Sequence, residues 1–422
     1  MRCVRGKRAP VELLALLFLL LNATTLHVTR AKVRGTASVG LGEIRTQRLP
    51  APVLDLDLSP SGSVMLCAAR LADGRVLVWR IETGEILHHY AFPAPDSELR
   101  QRDEIEPIHV RFSPDGTTLA VSYLSRIHVF DTTGWGEIAS LGVQGEDAVR
   151  PRPRPALRRR ADDEERQTPQ QMGQDFEKRM ARGDGATRIT DFAFTPDGSA
   201  VLAAYCGGGY YDYPGFSVAW GSGKDPVRLW ALPSGRLLWE RVWDPDSVVR
   251  RVTPSPDGKR FAVVIQRKRE GTLAMCDLAS GQWSYPLALQ RLALFRGVPP
   301  LFFTAEGRYL VAGLPGHYKR PPIPGAFIEF DPSDGRRVAE LPRQADFGDA
   351  DISSDGRWLV TSTLRGMKIL MWDVAARKVV LRKLPSWRAT ITKVRFDPSG
   401  RFVVAVDGGK GLAFVYAFHS GQ

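Results

Sequence analysis

Ser255-Pro256-Asp257-Gly258-Lys259-Arg260-Phe261-Ala262-Val263-Val264-Ile265 decides the fold. The first four residues spell a tight turn: proline presets φ, aspartate bonds the local backbone, and glycine takes a positive φ. Phe261 to Ile265 form an apolar run of strand length. The same signal returns at Ser59-Pro60-Ser61-Gly62, Ser113-Pro114-Asp115-Gly116, Thr195-Pro196-Asp197-Gly198, Thr304-Ala305-Glu306-Gly307, Ser353-Ser354-Asp355-Gly356 and Asp397-Pro398-Ser399-Gly400. Each turn is preceded by alternating residues, such as Ile108-His109-Val110-Arg111-Phe112. The unit is therefore strand, turn, strand, and it occurs seven times.

A second marker follows each turn, a large residue and its neighbour: Trp79-Arg80, Phe130-Asp131, Trp230-Ala231, Cys276-Asp277, Phe330-Asp331, Trp372-Asp373 and Tyr416-Ala417. In five units it runs quickly into Gly84, Gly134, Gly235, Gly281 or Gly335, and a fourth strand such as Glu85-Ile86-Leu87-His88-His89-Tyr90 comes next. Four short strands per unit, recurring at about 44–60 residues outside the longest insertion, are the signature of propeller blades. The expected fold is all-β, a seven-bladed propeller of four-stranded antiparallel blades. Blades begin at about residues 50, 107, 188, 248, 299, 346 and 390, within a domain spanning 32–422. Residues 42–49 resemble Gly84-Glu85-Ile86-Leu87 and are expected to supply the outer strand of the last blade, closing the ring and removing an edge.

Over residues ~50–420 the chain resembles the WD-repeat (WD-40) family and its Tyr-Val-Thr-Asn-type propeller relatives. Only Trp372-Asp373 is a literal Trp-Asp pair, and the family's Gly-His dipeptide is missing ahead of the turns. The family's His–Asp–Ser/Thr–Trp network is therefore not expected here, and apolar packing is expected to hold the blades. The resemblance implies a scaffold that binds proteins.

Composition bounds the alternatives. The 422 residues are 43% hydrophobic and 9% aromatic, enough for a core and against wholesale disorder. Four cysteines exclude a disulfide scaffold, and Cys67 and Cys276 read as small buried hydrophobes. The net charge of +12 is read as scattered surface charge. Residues 1–31 carry Arg2, Arg5, Lys7 and Arg8, then nine apolar residues from Leu13 to Leu21. That pattern is expected to be a signal peptide or N-terminal anchor, making the protein exported; cytoplasmic residence is the alternative.

Four insertions stand out, at 91–107, 142–187, 206–226 and 312–325, and propeller geometry places all four on one face. Residues 142–187 read as a disordered Arg/Pro-rich segment between the second and third blades, with Arg152, Arg154, Arg158, Arg159 and Arg160 as an element for docking an anionic partner. Residues 206–226 offer Tyr210, Tyr211, Tyr213 and Phe216 on a Gly-rich loop, a composition suited to protein contact. His317 and Tyr318 are a smaller candidate of the same sort. His109 and His128 sit in strand patterns and read as structural.

No His-Glu-x-x-His or Gly-x-Ser-x-Gly motif is present. No cofactor, metal or catalytic residue is expected. The leading expectation is a monomeric, non-catalytic platform for a protein or peptide on the decorated face. Nucleic acid is not expected as a partner, and a membrane only through an uncleaved N-terminus. The alternative is a propeller enzyme or small-ligand binder using the central channel.

Overall fold

The turn chemistry sets the local structure. In the computed structural model, the Ser113 hydroxyl donates to Asp115 Oδ1 at 2.6 Å and accepts from Thr118 N at 2.9 Å. Gly116 N donates to Ser113 O at 2.9 Å, with Gly116 at φ 72°. Thr195, Ser255 and Ser353 repeat this arrangement with Asp197, Asp257 and Asp355. The hydroxyl bonds hold the carboxyls of Asp115, Asp197 and Asp257 below the usual range.

The structure describes residues 39–420 apart from 61–65, 72–73, 93–108, 124, 143–187, 207–208, 214–215, 221–224, 244–246, 268–269, 287–291, 294–299, 305–306, 308–309, 315–325, 343–346, 364–367 and 386–388. Residues 40–418 make one compact unit. The strands are β1 (Gly40–Arg48), β2 (Val53–Leu58), β3 (Leu66–Leu71), β4 (Arg75–Arg80), β5 (Ile86–Ala91), β6 (Val110–Phe112), β7 (Thr118–Tyr123), β8 (Arg126–Asp131) and β9 (Glu137–Leu141). They continue as β10 (Arg188–Phe194), β11 (Ala200–Cys206), β12 (Gly209–Tyr213), β13 (Phe216–Trp220), β14 (Val227–Ala231), β15 (Leu237–Arg241), β16 (Val248–Pro254), β17 (Arg260–Arg267), β18 (Glu270–Asp277), β19 (Trp283–Pro286) and β20 (Leu292–Ala293). The remainder are β21 (Leu301–Phe303), β22 (Leu310–Leu314), β23 (Ala326–Phe330), β24 (Arg337–Glu340), β25 (Phe347–Ile352), β26 (Trp358–Thr363), β27 (Ile369–Asp373), β28 (Lys378–Lys383), β29 (Ile391–Phe396), β30 (Phe402–Asp407) and β31 (Leu412–His419).

These strands form the four-stranded antiparallel blades of a β-propeller. The sheet orders are β2-β3-β4-β5, β6-β7-β8-β9, β10-β11-β14-β15, β16-β17-β18-β19 with β20 added to β18, β21-β22-β23-β24, β25-β26-β27-β28, and β29-β30-β31-β1. Strand β1 thus sits outermost on β31. The hairpin β12-β13 forms a sheet of its own.

The second markers fall at one place in every repeat. Trp79, Phe130, Trp230, Cys276, Phe330, Trp372 and Tyr416 pair across to Cys67, Leu119, Val201, Phe261, Leu310, Leu359 and Val403. All seven markers are buried. Each is worth roughly 1.5–3 kcal/mol in burial. Sheets pack face to face through such residues: Val76 and Val78 meet Val110 and Phe112, and Phe327 meets Ala350 and Trp372. Val404 and Val406 of the last sheet pack on Leu56 and Trp79 of the first.

The turn after the marker takes a left-handed residue five positions on, and it is not always glycine. Gly84, Gly235, Gly281 and Gly335 hold the left-handed position, but in the second sheet Trp135 (φ 61°), not Gly134, occupies it. In the sixth, Arg377 (φ 51°) does so. Trp135 stacks on His88, with ring centroids 5.5 Å apart, and its carbonyl accepts from Tyr90 OH at 3.2 Å.

Candidate functional site: a charged channel and an extra hairpin

Strands β2, β6, β10, β16, β21, β25 and β29, the first of each sheet, all line one cavity of about 190 Å³. Their charged residues stand four and two positions before the turn residue: Asp55 and Asp57, His109 and Arg111, Asp191, Arg251, Asp349 and Asp351, Lys393 and Arg395. Alternation along a strand puts two such positions on one face. The register slips just ahead of Asp55, Asp191, Arg251 and Lys393, and between Phe347 and Ala350. A bulge inserts a residue and re-aims the side chains that follow, here toward the channel.

The carboxylates staple the first sheet to the second, the third to the fourth and the sixth to the seventh by accepting backbone N–H groups. Asp55 accepts from Val110 at 3.2 Å, Asp57 from Phe112 at 2.7 Å, and Asp191 from Val252 at 3.0 Å. Asp349 accepts from Val394 at 3.0 Å and Asp351 from Phe396 at 2.8 Å. The arginines bridge further. Arg111 donates to Asp55 at 2.6 Å and lies 3.8 Å from Asp191. Arg395 donates to Asp349 at 2.7 Å and to Leu56 O at 3.0 Å. His109 Nδ1 lies 3.2 Å from Asp55 and Nε2 lies 2.9 Å from Thr190 O, so one ring touches the first and third sheets. Apolar packing is thus only part of what joins the blades.

Burial opposes charge at all four paired aspartates, but the outcome differs. Against that burial, Arg111, His109 and Lys393 hold Asp55 well below the usual carboxylate range. Arg395 and Lys393 likewise hold Asp349 down. Burial wins at Asp57, which is raised, and at Asp351, which is pushed up to about 6. A carboxylate clamped by guanidinium is a poor proton acceptor, so the lower pair serves cohesion. Among the described residues no group of three His, Cys, Asp or Glu could hold a metal ion.

The residues singled out from sequence are not drawn together here. Tyr210, Tyr211 and Tyr213 lie on β12 and Phe216 on β13, with Tyr213 opposite Phe216 and Tyr211 opposite Val218. The stretch expected as a Gly-rich loop is therefore a β-hairpin. Arg152, Arg154, Arg158, Arg159, Arg160, His317 and Tyr318 lie outside the described residues, as do residues 1–31. Sequence reading missed the channel charges, although their fixed offset from each turn was visible.

No family model matches the chain. It is 27% identical over 191 residues to eukaryotic translation initiation factor 3 subunit I of Neosartorya fischeri, covering 42% of this chain and 53% of that protein. The same subunit from Coccidioides immitis is 26% identical over 210 residues, 45% of this chain and 56% of the relative. The chain thus spans about half the length of the curated relatives it matches. The crystal structure of the Myceliophteria thermophila Cps50 (Swd1) β-propeller domain superposes with a TM-score of 0.59 over 90% of this chain and 99% of that one, at 11% identity. At that identity the likeness concerns fold alone.

Sheets and channel make the chain a β-propeller. The turn-and-marker repeat and the likeness to an initiation factor subunit support a WD-repeat propeller with divergent repeats. The same likeness overturns the expected export, because the relatives are subunits of a cytoplasmic factor. The basic start and nine apolar residues are a local composition signal, which that likeness outweighs.

Proposed function

We propose that this protein is a non-catalytic interaction platform: a seven-bladed ring, sealed by β1 on β31, that binds a protein or peptide on its insertion-bearing face. The observation that carries the reading is the hairpin β12-β13. It sits between the second and third strands of its blade, belongs to none of the seven sheets, and concentrates Tyr210, Tyr211, Tyr213 and Phe216. Aromatic residues of this kind supply contact area at low entropic cost. In a four-stranded blade the link to the next blade and the link between the second and third strands leave from the same side, so the Arg152–Arg160 stretch and His317-Tyr318 would extend the contact. The relatives are subunits of an assembly by name, which supports the same reading.

The test is affinity capture from native extract at physiological salt with the full chain. Two variants run beside it: Tyr210, Tyr211, Tyr213 and Phe216 changed together to Ser, and residues 148–186 replaced by a Gly-Ser linker. A discrete partner held by the wild type and lost from the hairpin variant, at unchanged Tm, is the expected result. A partner kept by both variants moves the site elsewhere. Capture of nothing by the wild type refutes the platform.

A further inference from the structure

Strand β28 differs from the other outermost strands. It ends the order β25-β26-β27-β28, so the main-chain groups on its outer edge meet no further strand among the described residues. Its sequence, Lys378-Val379-Val380-Leu381-Arg382-Lys383, follows Arg377 directly and runs into Leu384. Strands β5 and β19 contain no Asp, Glu, Lys or Arg, and β9, β15, β24 and β1 each hold a glutamate. Of the seven outermost strands, β28 alone carries cations and no acid.

Its surroundings do not cancel that charge. Residues 347–418 hold twelve Lys and Arg against six Asp and Glu, half of the chain's net charge of +12. Asp349, Asp397 and Asp407 are buried, and Asp351 lines the channel. Asp355 is engaged in its own turn by Ser353 and by Arg357 N. Asp373 stands opposite Lys378 in register, but it accepts from Ala376 N at 2.8 Å and lies 3.9 Å from Arg357. Lys378 and Arg382 are exposed, and Lys383 lies over the Tyr416 ring at 5.7 Å. Val379, Val380 and Leu381 are half-buried between these cations, and Leu384 beyond them is 65% exposed.

An open sheet edge accepts an added strand, with main-chain hydrogen bonds giving affinity and alternate side chains giving selectivity. Cations along such an edge turn away neutral and basic strands. The same cations attract an acidic one. Single-stranded nucleic acid is held on aromatic stacking platforms as well as by charge, and β28 has no aromatic residue. We propose that β28 is the docking edge for an extended acidic segment of a partner protein, with glutamates or aspartates alternating with apolar residues, which adds a fifth strand to the sixth sheet. Lys378 and Arg382 meet its acids, and Val380, Leu381 and Leu384 meet its apolar residues. This edge belongs to a different sheet from the hairpin β12-β13 and does not depend on it.

The experiment is fluorescence anisotropy with the full-length protein and a labelled octapeptide of four Glu-Val repeats, beside the Lys-Val octapeptide, an octameric oligouridylate, and the Glu-Val peptide N-methylated at every residue. The Glu-Val peptide is expected to bind saturably, and the other three at least about tenfold more weakly. Lys378→Glu with Arg382→Glu is expected to weaken the Glu-Val peptide by at least about tenfold. Lys378→Gln with Arg382→Gln is expected to weaken it by about threefold or more, and decides the matter if the charge-reversed chain fails to fold. Hydrogen exchange should slow at residues 378–383 when the peptide is bound. Equal binding of the oligouridylate or of the N-methylated peptide, undiminished binding to the folded variants, protection confined to other strands, or no saturable binding by the wild type overturns the proposal.

Discussion

Asp55→Asn tests whether the channel charges hold the ring together. The residue is 2% exposed and faces five donors: Val110 N at 3.2 Å, His109 Nδ1 at 3.2 Å, Arg111 at 2.6 Å, Arg395 at 3.5 Å and Lys393 at 3.7 Å. Asparagine keeps the shape and one acceptor but removes the charge. Breaking a buried pair on one side costs about 3–5 kcal/mol, because the partner's charge stays behind. At ~2.1 cal/mol/K per residue, a unit of this size has an unfolding entropy of roughly 0.7–0.8 kcal/mol/K, so Tm should fall by about 4–7 °C. Differential scanning calorimetry reads this at pH 7. The pH dependence adds a second check. Asp55 titrates lower folded than unfolded, so its contribution is present above the unfolded value of ~3.9 and fades as pH falls through the folded one. The gap between wild type and variant should therefore persist at pH 5 and close only well below pH 4. A fall under about 1 °C at pH 7, or a gap already lost at pH 5, refutes the reasoning.

Asp351→Asn should act in the opposite sense. Its carboxyl is raised by burial to about 6, so folding is favoured below ~3.9 and penalised as pH rises through 6; the variant should gain up to about 2–3 kcal/mol relative to wild type at pH 7.5 and nothing at pH 4, by scanning calorimetry. Ser113→Ala removes the hydroxyl that bonds Asp115 Oδ1 and Thr118 N, and should cost about 1–2 kcal/mol while moving the Asp115 pKa upward in an NMR titration. Arg377→Gly relieves a left-handed φ of 51° at an exposed turn and should raise Tm by about 1 °C, whereas a lower Tm would mean the side chain contributes more than its strain costs. A chain starting at residue 50 lacks β1 and should unfold earlier and aggregate through the exposed edge of β31, and one starting at residue 32 should match the full chain in scanning fluorimetry and light scattering.

What was legible in the sequence was local. Ser255-Pro256-Asp257-Gly258 and its counterparts fix a turn through contacts within five residues, and Trp79 or Trp372 marks a strand by its own bulk. Gly134 is the glycine that the composition offers to the second sheet's turn, yet the backbone takes its left-handed residue one place later, at Trp135. Tyr210 to Phe216 read as a loop because of Gly207 to Gly209; the Pro214-Gly215 turn signal between two aromatic stretches was the cue for a hairpin. The channel was illegible for another reason. Asp55 and Arg395 are 340 residues apart, and only closure brings a fixed offset in one repeat against the same offset in another.

The apolar first strand of the fifth sheet, Leu301-Phe302-Phe303, gains a meaning from arithmetic. Going round the channel the signs run negative at Asp55 and Asp57, positive at Arg111, negative at Asp191, positive at Arg251, neutral at Phe302, negative at Asp351 and positive at Arg395. In the proposed seven-bladed ring, an odd cycle cannot alternate two signs without setting like beside like. One uncharged member removes the frustration, and here it separates Arg251 from Asp351. The repeats are consequently not interchangeable parts. Excising the second would set Asp55 against Asp191, and excising the seventh would set Asp351 against Asp57. Loss of two neighbouring charged repeats leaves the sign order whole, and loss of the uncharged repeat alone would leave an even cycle of six in full alternation.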